Sequence, residues 1–320
     1  WSSKPGTALT PRKADGLVVI ELWPAFVAAL LTVALAFPAF SQSPTVSRVQ
    51  PSAAPPGKSI DLAFFGERLA GAVLWSSFAA SFLFGALAQR THFCTMGAIS
   101  DVVNMGDWTR ARQWMLAIGF AMLGFAVLSW RGDIQPGKSL YASTRLIWLS
   151  CLIGGLMFGF GMVLASGCGS KTLVRIGSGN LKSLVVFVVM GVASFATLKG
   201  ITAVLRVSTV DRVAIELAQP ATLGQWLANA VDLDPSIAAL ALGLLLGLGL
   251  MVWALTGRDF ANTNNLLAGI GIGAIITAMW CLSGHLGFVA EHPETLEAVF
   301  LATNSGRAES LSFVAPVAYS

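Results

Sequence analysis

Charged residues are scarce in this chain. Only 11% of its 320 residues are Asp, Glu, Lys or Arg, whereas a soluble globular domain carries roughly a quarter. Because this low charge content cannot solvate a protein surface, the composition excludes a soluble domain and favours a lipid-facing exterior. The 20 Lys and Arg exceed the 16 Asp and Glu by only four. This small, dispersed excess argues against a nucleic-acid partner.

Cysteines are also few, and no two of them form a C-x-x-C pair. The four are Cys94, Cys151, Cys168 and Cys281. Their spacing argues against a disulfide framework, a zinc site and an iron–sulfur cluster. The sequence further lacks a convincing haem, quinone, flavin or nucleotide motif. We therefore expect neither a cofactor nor a metal.

What the sequence has instead is a series of long apolar runs. Lipid cannot hydrogen-bond to free backbone groups, and the runs show none of the alternation of a membrane barrel, so helices are predicted throughout. The expected fold is an all-α polytopic membrane helical bundle. The seven predicted spans are Val18–Phe40, Leu69–Ala88, Trp114–Trp130, Leu146–Ala165, Leu184–Leu205, Ile237–Leu255 and Leu266–Phe288.

Two segments between the spans, Ala88–Asp101 and Ala165–Asn180, are too apolar for solvated loops and too short to cross a membrane. Each contains one cysteine with glycine and hydroxyl neighbours, followed by a short helical stretch. A long span, a half-length helix and another long span thus occur twice in order. This pattern is typical of a weak internal repeat with discontinuous helices, which predicts short re-entrant half-helices here.

A half-helix that begins inside a membrane protein can hold an anion, because its free N–H groups and aligned peptide dipoles form a positive pole. Gly167 and Gly169 beside Cys168 indicate that another group approaches the backbone closely at this point. The alternative is that both motifs are tight turns with a buried packing cysteine; their repetition favours a permeation site. Lys171 and Arg175 share a helix face, so they either attract the anion or extend to lipid headgroups.

Two stretches of sequence carry a resemblance to a known family. They are FCTMGAISD at residues 93–101 and SGCGSKTLVRIGSGNLKSL at residues 166–184. From about Leu69 onwards the chain resembles the YeeE/YedE family of sulfur-compound transporters. The resemblance implies two pseudosymmetric halves in a bacterial inner membrane, and thiosulfate uptake through a narrow waist where thiols make weak S–H···S contacts with the substrate.

The family motifs correspond to Cys94 and Cys168, whereas Cys151 and Cys281 match none and are expected to be packing residues. The family's third cysteine motif is missing, so we expect a partial chain. The expected substrate path consists of Cys94, Cys168, Gly97, Ser166, Gly167, Gly169, Ser170, Lys171 and Arg175. Expected partners are thiosulfate or a similar anion and the lipid bilayer, with a cytoplasmic sulfur-carrier protein as a further candidate.

The domain organisation follows from the spans and the resemblance. Lys4, Arg12 and Lys13 before the first span favour a cytoplasmic N-terminus. A short surface helix is predicted around Arg212–Ala218. The expected order is a cytoplasmic tail (1–16), a membrane anchor helix (17–40), a Ser/Pro/Ala-rich linker (41–66), a first transporter half with both cysteine motifs (67–205), a connecting surface segment (206–235) and the start of a second half (236–320).

Alternatives to thiosulfate transport stay open at this point. The chain could transport a selenium compound, as some members of the family are linked to selenium. It could be a non-transporting scaffold subunit. It could also be a membrane thiol enzyme, a sulfurtransferase or oxidoreductase that uses Cys94 and Cys168 covalently, although no general base is placed beside either cysteine. We expect a transporter rather than an enzyme.

Overall fold

The computed structural model describes residues 58–313, except 140, 143, 218–221, 258–259, 290–297, 301–302 and 304. The predicted tail, the anchor helix and residues 41–57 of the predicted linker lie outside the described residues. The first described helix begins at Lys58 and therefore includes residues 58–66 of that linker.

Helices dominate the described part of the chain. In chain order they are α1 (Lys58–Thr91), α2 (Thr95–Met105), α3 (Thr109–Trp130), α4 (Trp148–Leu164), α5 (Gly169–Gly177), α6 (Leu181–Lys199), α7 (Ile201–Ser208), α8 (Leu223–Val231), α9 (Pro235–Leu255) and α10 (Thr263–Leu286). Within α10 the hydrogen bonding widens to a π-helical pattern over Leu267–Gly271 and Leu282–Leu286. Short 3₁₀ turns occur at Pro136–Lys138 and Val210–Arg212.

Six helical stretches among the described residues are long and apolar enough to cross a membrane, so the chain is a polytopic helical membrane protein, as predicted. They coincide with six of the seven predicted spans. In α10, 50% of the apolar stretch is buried inside the protein. In Trp148–Gly177, only 6% of the apolar stretch is buried. An apolar helix exposed to this extent suits a lipid environment. The stretches are Gly71–Met105, Thr109–Trp130, Trp148–Gly177, Leu181–Lys199, Pro235–Leu255 and Thr263–Leu286.

Polar side chains at the helix starts explain where several spans begin. The Asn180 side chain accepts hydrogen bonds from the first turn of α6, and Asp234 accepts one at the start of α9, where Pro235 takes the first helical position. Asn262 caps α10 in the same way. Before α3, the Asp107 carboxylate accepts bonds from the hydroxyl and the amide of Thr109, which together lower the pKa of Asp107.

The packed centre of the described chain is α3, which lies against α9 and α10. Leu116 on α3, Ala254 and Phe260 form a buried apolar cluster. Helices α3 and α9 approach closely at Gly119 and Gly247, where an added Cβ on Gly119 would lie 2.7 Å from the carbonyl oxygen of Gly247. Small residues at such contacts allow membrane helices to pack backbone against backbone.

Two sequence predictions differ from the structure in the region after α5. The predicted span Leu184–Leu205 is divided into α6 and α7 at Gly200, whose extended backbone (φ −97°, ψ −160°) ends the first helix. The predicted surface helix around Arg212–Ala218 is wrong. Residues Ile215–Glu216 instead form a short strand, β2.

The short strands tie loops together. Strand β1 (Arg145–Leu146), just before α4, pairs antiparallel with β2, with Arg145 opposite Glu216. Strands β3 (Phe288–Val289) and β4 (Val299–Phe300) pair in the same sense after α10. The β2 segment was mistaken for a helix because its pairing partner lies about 70 residues earlier in the chain, and a window of local sequence contains no sign of it.

Candidate anion site at two broken helices

The first cysteine motif lies where α1 ends and α2 begins. His92 adopts a left-handed backbone (φ 52°), and the N–H of Phe93 donates to the carbonyl of Ala88 at 3.1 Å. This i to i−5 bond after a left-handed residue is the pattern of a Schellman helix ending. Cys94 then takes an extended conformation as the N-cap of α2, and its Sγ accepts a bond from the N–H of Gly97 at 3.4 Å. The thiol therefore occupies the N-terminal end of a half-helix.

The second motif repeats this geometry between α4 and α5. Ser166 is left-handed (φ 55°), and the N–H of Gly167 donates to the carbonyl of Met162 at 3.0 Å. Cys168 follows in extended conformation as the N-cap of α5. Both breaks thus place a left-handed residue two positions before a cysteine that starts a short helix, which is the repeat of discontinuous helices that the sequence predicts.

Local hydrogen bonds hold the Cys168 turn. Its Sγ lies 3.1 Å from the hydroxyl oxygen of Ser170 and shares a hydrogen bond with it. The hydroxyl of Thr172 donates to the carbonyl of Cys168 at 3.0 Å. Gly169 is the first residue of α5 and is buried. These contacts fix the start of the half-helix, so the thiol has a defined position.

The two motif cysteines, 74 positions apart in sequence, lie close enough in space for their thiols to act on each other. Cys94 is buried and Cys168 is partly buried, and neither is in a disulfide. Of the other two cysteines, Cys281 is buried in α10, as expected of a packing residue, but Cys151 is exposed on α4. The structure therefore brings together the pair that the motifs single out.

A positive charge adjoins this thiol pair. The ammonium group of Lys171 lies close enough to Cys94 to act on its thiol electrostatically. Its aliphatic stem runs beside Gly167, where an added Cβ would lie 3.0 Å from Cδ of Lys171. Arg175, one turn further along α5, instead donates to the carbonyl of Ser166 at 3.0 Å. The charge of Lys171 thus acts on Cys94, whereas Arg175 braces the left-handed turn.

Gly97 gives room to a residue that the sequence analysis did not single out. An added Cβ on Gly97 would lie 2.6 Å from Nη1 of Arg110 and 3.6 Å from Cβ of Cys94. Arg110, at the start of α3, forms an ion pair with Asp101 on α2 at 3.2 Å. An arginine near the end of an apolar helix is an ordinary interfacial residue in sequence, so only the turn between α2 and α3 reveals its position.

An aromatic pair covers the same turn. Phe93 stacks on Trp114 of α3, with ring centroids 4.5 Å apart and planes 21° apart. Within the described ranges, Nε1 of Trp114 is buried without a hydrogen-bond partner. Arg110 and Trp114 are four residues apart, so one face of α3 packs on the Cys94 motif.

The described residues hold no group of three or more His, Cys, Asp or Glu side chains arranged to bind a metal ion. What the arrangement offers is two thiols, a nearby ammonium and guanidinium group, and the N-terminal ends of two half-helices. Such a set suits weak binding of an anion that has a polarizable atom.

Comparison with known proteins agrees with this chemistry. A family model described as sulphur transport matches residues 90–320. A thiosulfate transporter, TsuA, from Spirochaeta thermophila is 30% identical over 128 residues, which are 40% of this chain and 37% of the relative. The TsuA of Escherichia coli is 34% identical over 101 residues, 32% of this chain and 27% of the relative. The matched part therefore spans about a third of these relatives.

Proposed function

Because this chain belongs to the sulphur transport (YeeE/YedE) family, we propose that it carries thiosulfate or a related small sulfur anion across the bacterial inner membrane. The observation that carries the proposal is the pairing of Cys94 and Cys168 at the tips of two broken helices. Two relatives, 30% and 34% identical over part of the chain, are thiosulfate transporters by name, which supports the choice of substrate.

Thiols suit this substrate because thiosulfate has one soft terminal sulfur and several hard oxygens. A neutral thiol is a weak donor and a polarizable acceptor, and it avoids the cost of a fixed charge inside the membrane. Conduction requires sites that bind weakly and in sequence rather than one tight site. Two adjacent thiols that contact the same sulfur in turn meet this requirement.

The neighbouring groups have separate roles in the proposed path. Lys171 attracts the anion towards Cys94. Ser170 supplies a hydroxyl beside Cys168, while Gly97 and Gly167 leave room for the side chains of Arg110 and Lys171 and Gly169 begins α5. Ser166 and Arg175 act indirectly, since their mutual hydrogen bond holds the turn that presents Cys168.

Uptake of labelled thiosulfate into liposomes tests the proposal with the full chain. Cys94→Ala and Cys168→Ala are each expected to abolish uptake, because either change removes one of the two adjacent thiol sites. Cys151→Ala is the matched control, since Cys151 is exposed on α4 and outside the path. Equal uptake by all three variants would refute the cysteine path. Competition with unlabelled sulfite and selenite tests whether a related anion or a selenium compound is preferred.

A thiol enzyme is the second candidate, because two free thiols close to each other could also react covalently. Such an enzyme would carry substrate sulfur covalently on Cys94 or Cys168 during turnover. Mass spectrometry of the intact chain after incubation with thiosulfate distinguishes the two. A transporter shows uptake with unmodified cysteines, whereas a mass increase on either motif cysteine that appears and decays with turnover would favour the enzyme.

A further inference from the structure

Arg110 is a second cation near the Cys94 motif, and nothing in the cysteine motifs accounts for it. Its Nη1 lies 2.6 Å from the point where a Cβ of Gly97 would stand, and Cβ of Cys94 lies 3.6 Å from that same point. The guanidinium group therefore occupies the side-chain space that Gly97 leaves open, beside the first turn of α2. Any residue larger than glycine at position 97 would push the guanidinium away from Cys94.

The guanidinium group retains capacity to bind an anion. Its ion pair with Asp101 joins Nη1 to Oδ2 at 3.2 Å, and the side chain of Arg110 is 38% exposed against 12% for Asp101. Asp107 also acts on Arg110 electrostatically, but its Oδ1 is already bonded twice by Thr109. A guanidinium has five N–H donors in a planar fork, so one ion pair leaves donors for the oxygens of a second anion.

Thiols alone do not complete a site for a sulfur oxyanion. They match its soft sulfur, but the charge lies largely on its oxygens, and a dianion is costly to bury without charged or strong donors. On the basis of the proposed function, we propose that Arg110 binds the oxygens of the transported sulfur oxyanion while Cys94 contacts its sulfur. Arg110 then makes the site selective for oxyanions over uncharged sulfur species.

Asp101 has a complementary role in this scheme. A partly buried arginine without a counter-charge would hold a dianion tightly, and tight binding slows passage. Asp101 offsets the charge of Arg110 when the site is empty and competes for it when the anion is bound. The ion pair of Asp101 and Arg110 therefore keeps the affinity for the anion moderate. Removing the carboxylate should tighten anion binding and slow transport.

Arg112 provides a matched control two residues further along α3. Its Nη1 donates to the carbonyls of Trp253 and Ala254 at 3.2 and 3.3 Å, and the guanidinium lies 5.0 Å from the Trp253 ring. These contacts hold the C-terminal end of α9, where a cation is favourable. Arg112 thus has a structural role on the side of α3 that faces α9, whereas Arg110 contacts α2.

The test measures the initial rate of thiosulfate uptake against concentration in liposomes containing the full chain. Arg110→Gln is expected to raise the half-saturating concentration about tenfold or more, as for loss of a charge-assisted hydrogen bond. Arg110→Lys should cause a smaller rise, because the charge remains. Asp101→Asn should lower both the half-saturating concentration and the maximal rate. Arg112→Lys should leave the half-saturating concentration unchanged.

The double variant Asp101→Asn with Arg110→Gln separates anion binding from a merely structural ion pair. Restored wild-type half-saturation in this variant, or no change in Arg110→Gln, would overturn the inference. Weak affinity for thiosulfate in both Arg110→Gln and the double variant supports the inference. Calorimetric titration of the purified chain with sodium thiosulfate applies the same comparison without transport. Wild-type liposomes that take up no thiosulfate would count against the proposed function alone, and equal affinities of wild type and Arg110→Gln in the titration would still overturn the inference.

Discussion

Two left-handed residues that are not glycine, His92 and Ser166, decide where the motif cysteines stand. For an L-residue this conformation costs about 1–2 kcal/mol, so it persists only where the surroundings enforce it. At Ser166 the enforcement comes from the Gly167 N–H bond to Met162 and from Arg175, which binds the Ser166 carbonyl. This conformational cost falls at the residues two positions before the motif cysteines. Backbone strain at such positions is expected where function constrains the structure.

Substitutions at Ser166 should reveal this constraint. Ser166→Gly removes the steric cost and is expected to raise the free energy of unfolding by up to about 1 kcal/mol. Ser166→Val should lower it by about 1–3 kcal/mol, because a β-branched residue resists a positive φ. Thermal unfolding of the purified chain in detergent measures both changes.

Ser178 supplies the control for this comparison. It also follows a helix, the short α5, but its φ is −87°, which any residue adopts. Ser178→Val is therefore expected to have a smaller effect than Ser166→Val. A similar loss of stability at the two positions would mean that the left-handed backbone is not the cause.

Residues of the site differ in how far the sequence could predict them. Cys94 and Cys168 stand out because each lies in a Gly-rich and hydroxyl-rich break, and the break occurs twice. Arg110 gives no such signal, since its proximity to Cys94 depends on the reversal of the chain at Gly106 (φ 69°) between α2 and α3. A contact made by a turn of this kind depends on three-dimensional packing that spacing along the chain does not encode.

At the scale of helices, apolar length predicted the spans well because length and composition alone decide whether a segment can cross lipid. The break at Gly200 was not predicted, since a single glycine inside an apolar run is common in membrane helices. The close packing of α3 on α9 was also not predicted. It depends on Gly119 and Gly247 meeting across two helices, and either residue alone resembles the other glycines of the chain.

The α3–α9 contact leads to a prediction about helix packing. A Cβ on Gly247 would lie 2.9 Å from Cγ of Leu123 and 3.0 Å from the carbonyl oxygen of Gly119. Gly247→Val is therefore expected to lower the free energy of unfolding by about 1–3 kcal/mol, because the two backbones must separate. The unfolding midpoint in detergent measures the effect.

Gly249, two residues later on α9, has nothing within 4 Å of the position its Cβ would take. Gly249→Ala should be neutral or stabilising, since alanine favours a helix over glycine. If Gly249→Ala destabilised the chain as much as Gly247→Val, the loss at Gly247 could not be assigned to the α3–α9 contact.

At the scale of the whole molecule, the candidate site and the packed core share only helix α3. The core consists of α3, α9 and α10, whereas the thiols come from the α1–α2 and α4–α5 breaks. Helix α3 belongs to both, because its first turns contact α2 and its middle packs on α9. The two thiol-bearing breaks therefore lie outside the buried apolar cluster of the core.

Oxidative cross-linking tests whether the two breaks meet in the membrane. Mild oxidation with copper phenanthroline is expected to join Cys94 to Cys168 in membranes containing the full chain, because their thiols are neighbours. Mass spectrometry of peptides digested without reductant would identify the link, and Cys168→Ser should abolish it. Cys151 and Cys281, present in both samples, should stay unlinked to Cys94. If Cys94 instead joined Cys151, or if both motif cysteines reacted freely with a thiol label but never with each other, α2 and α5 would not meet as described, and a shared thiol path would be untenable.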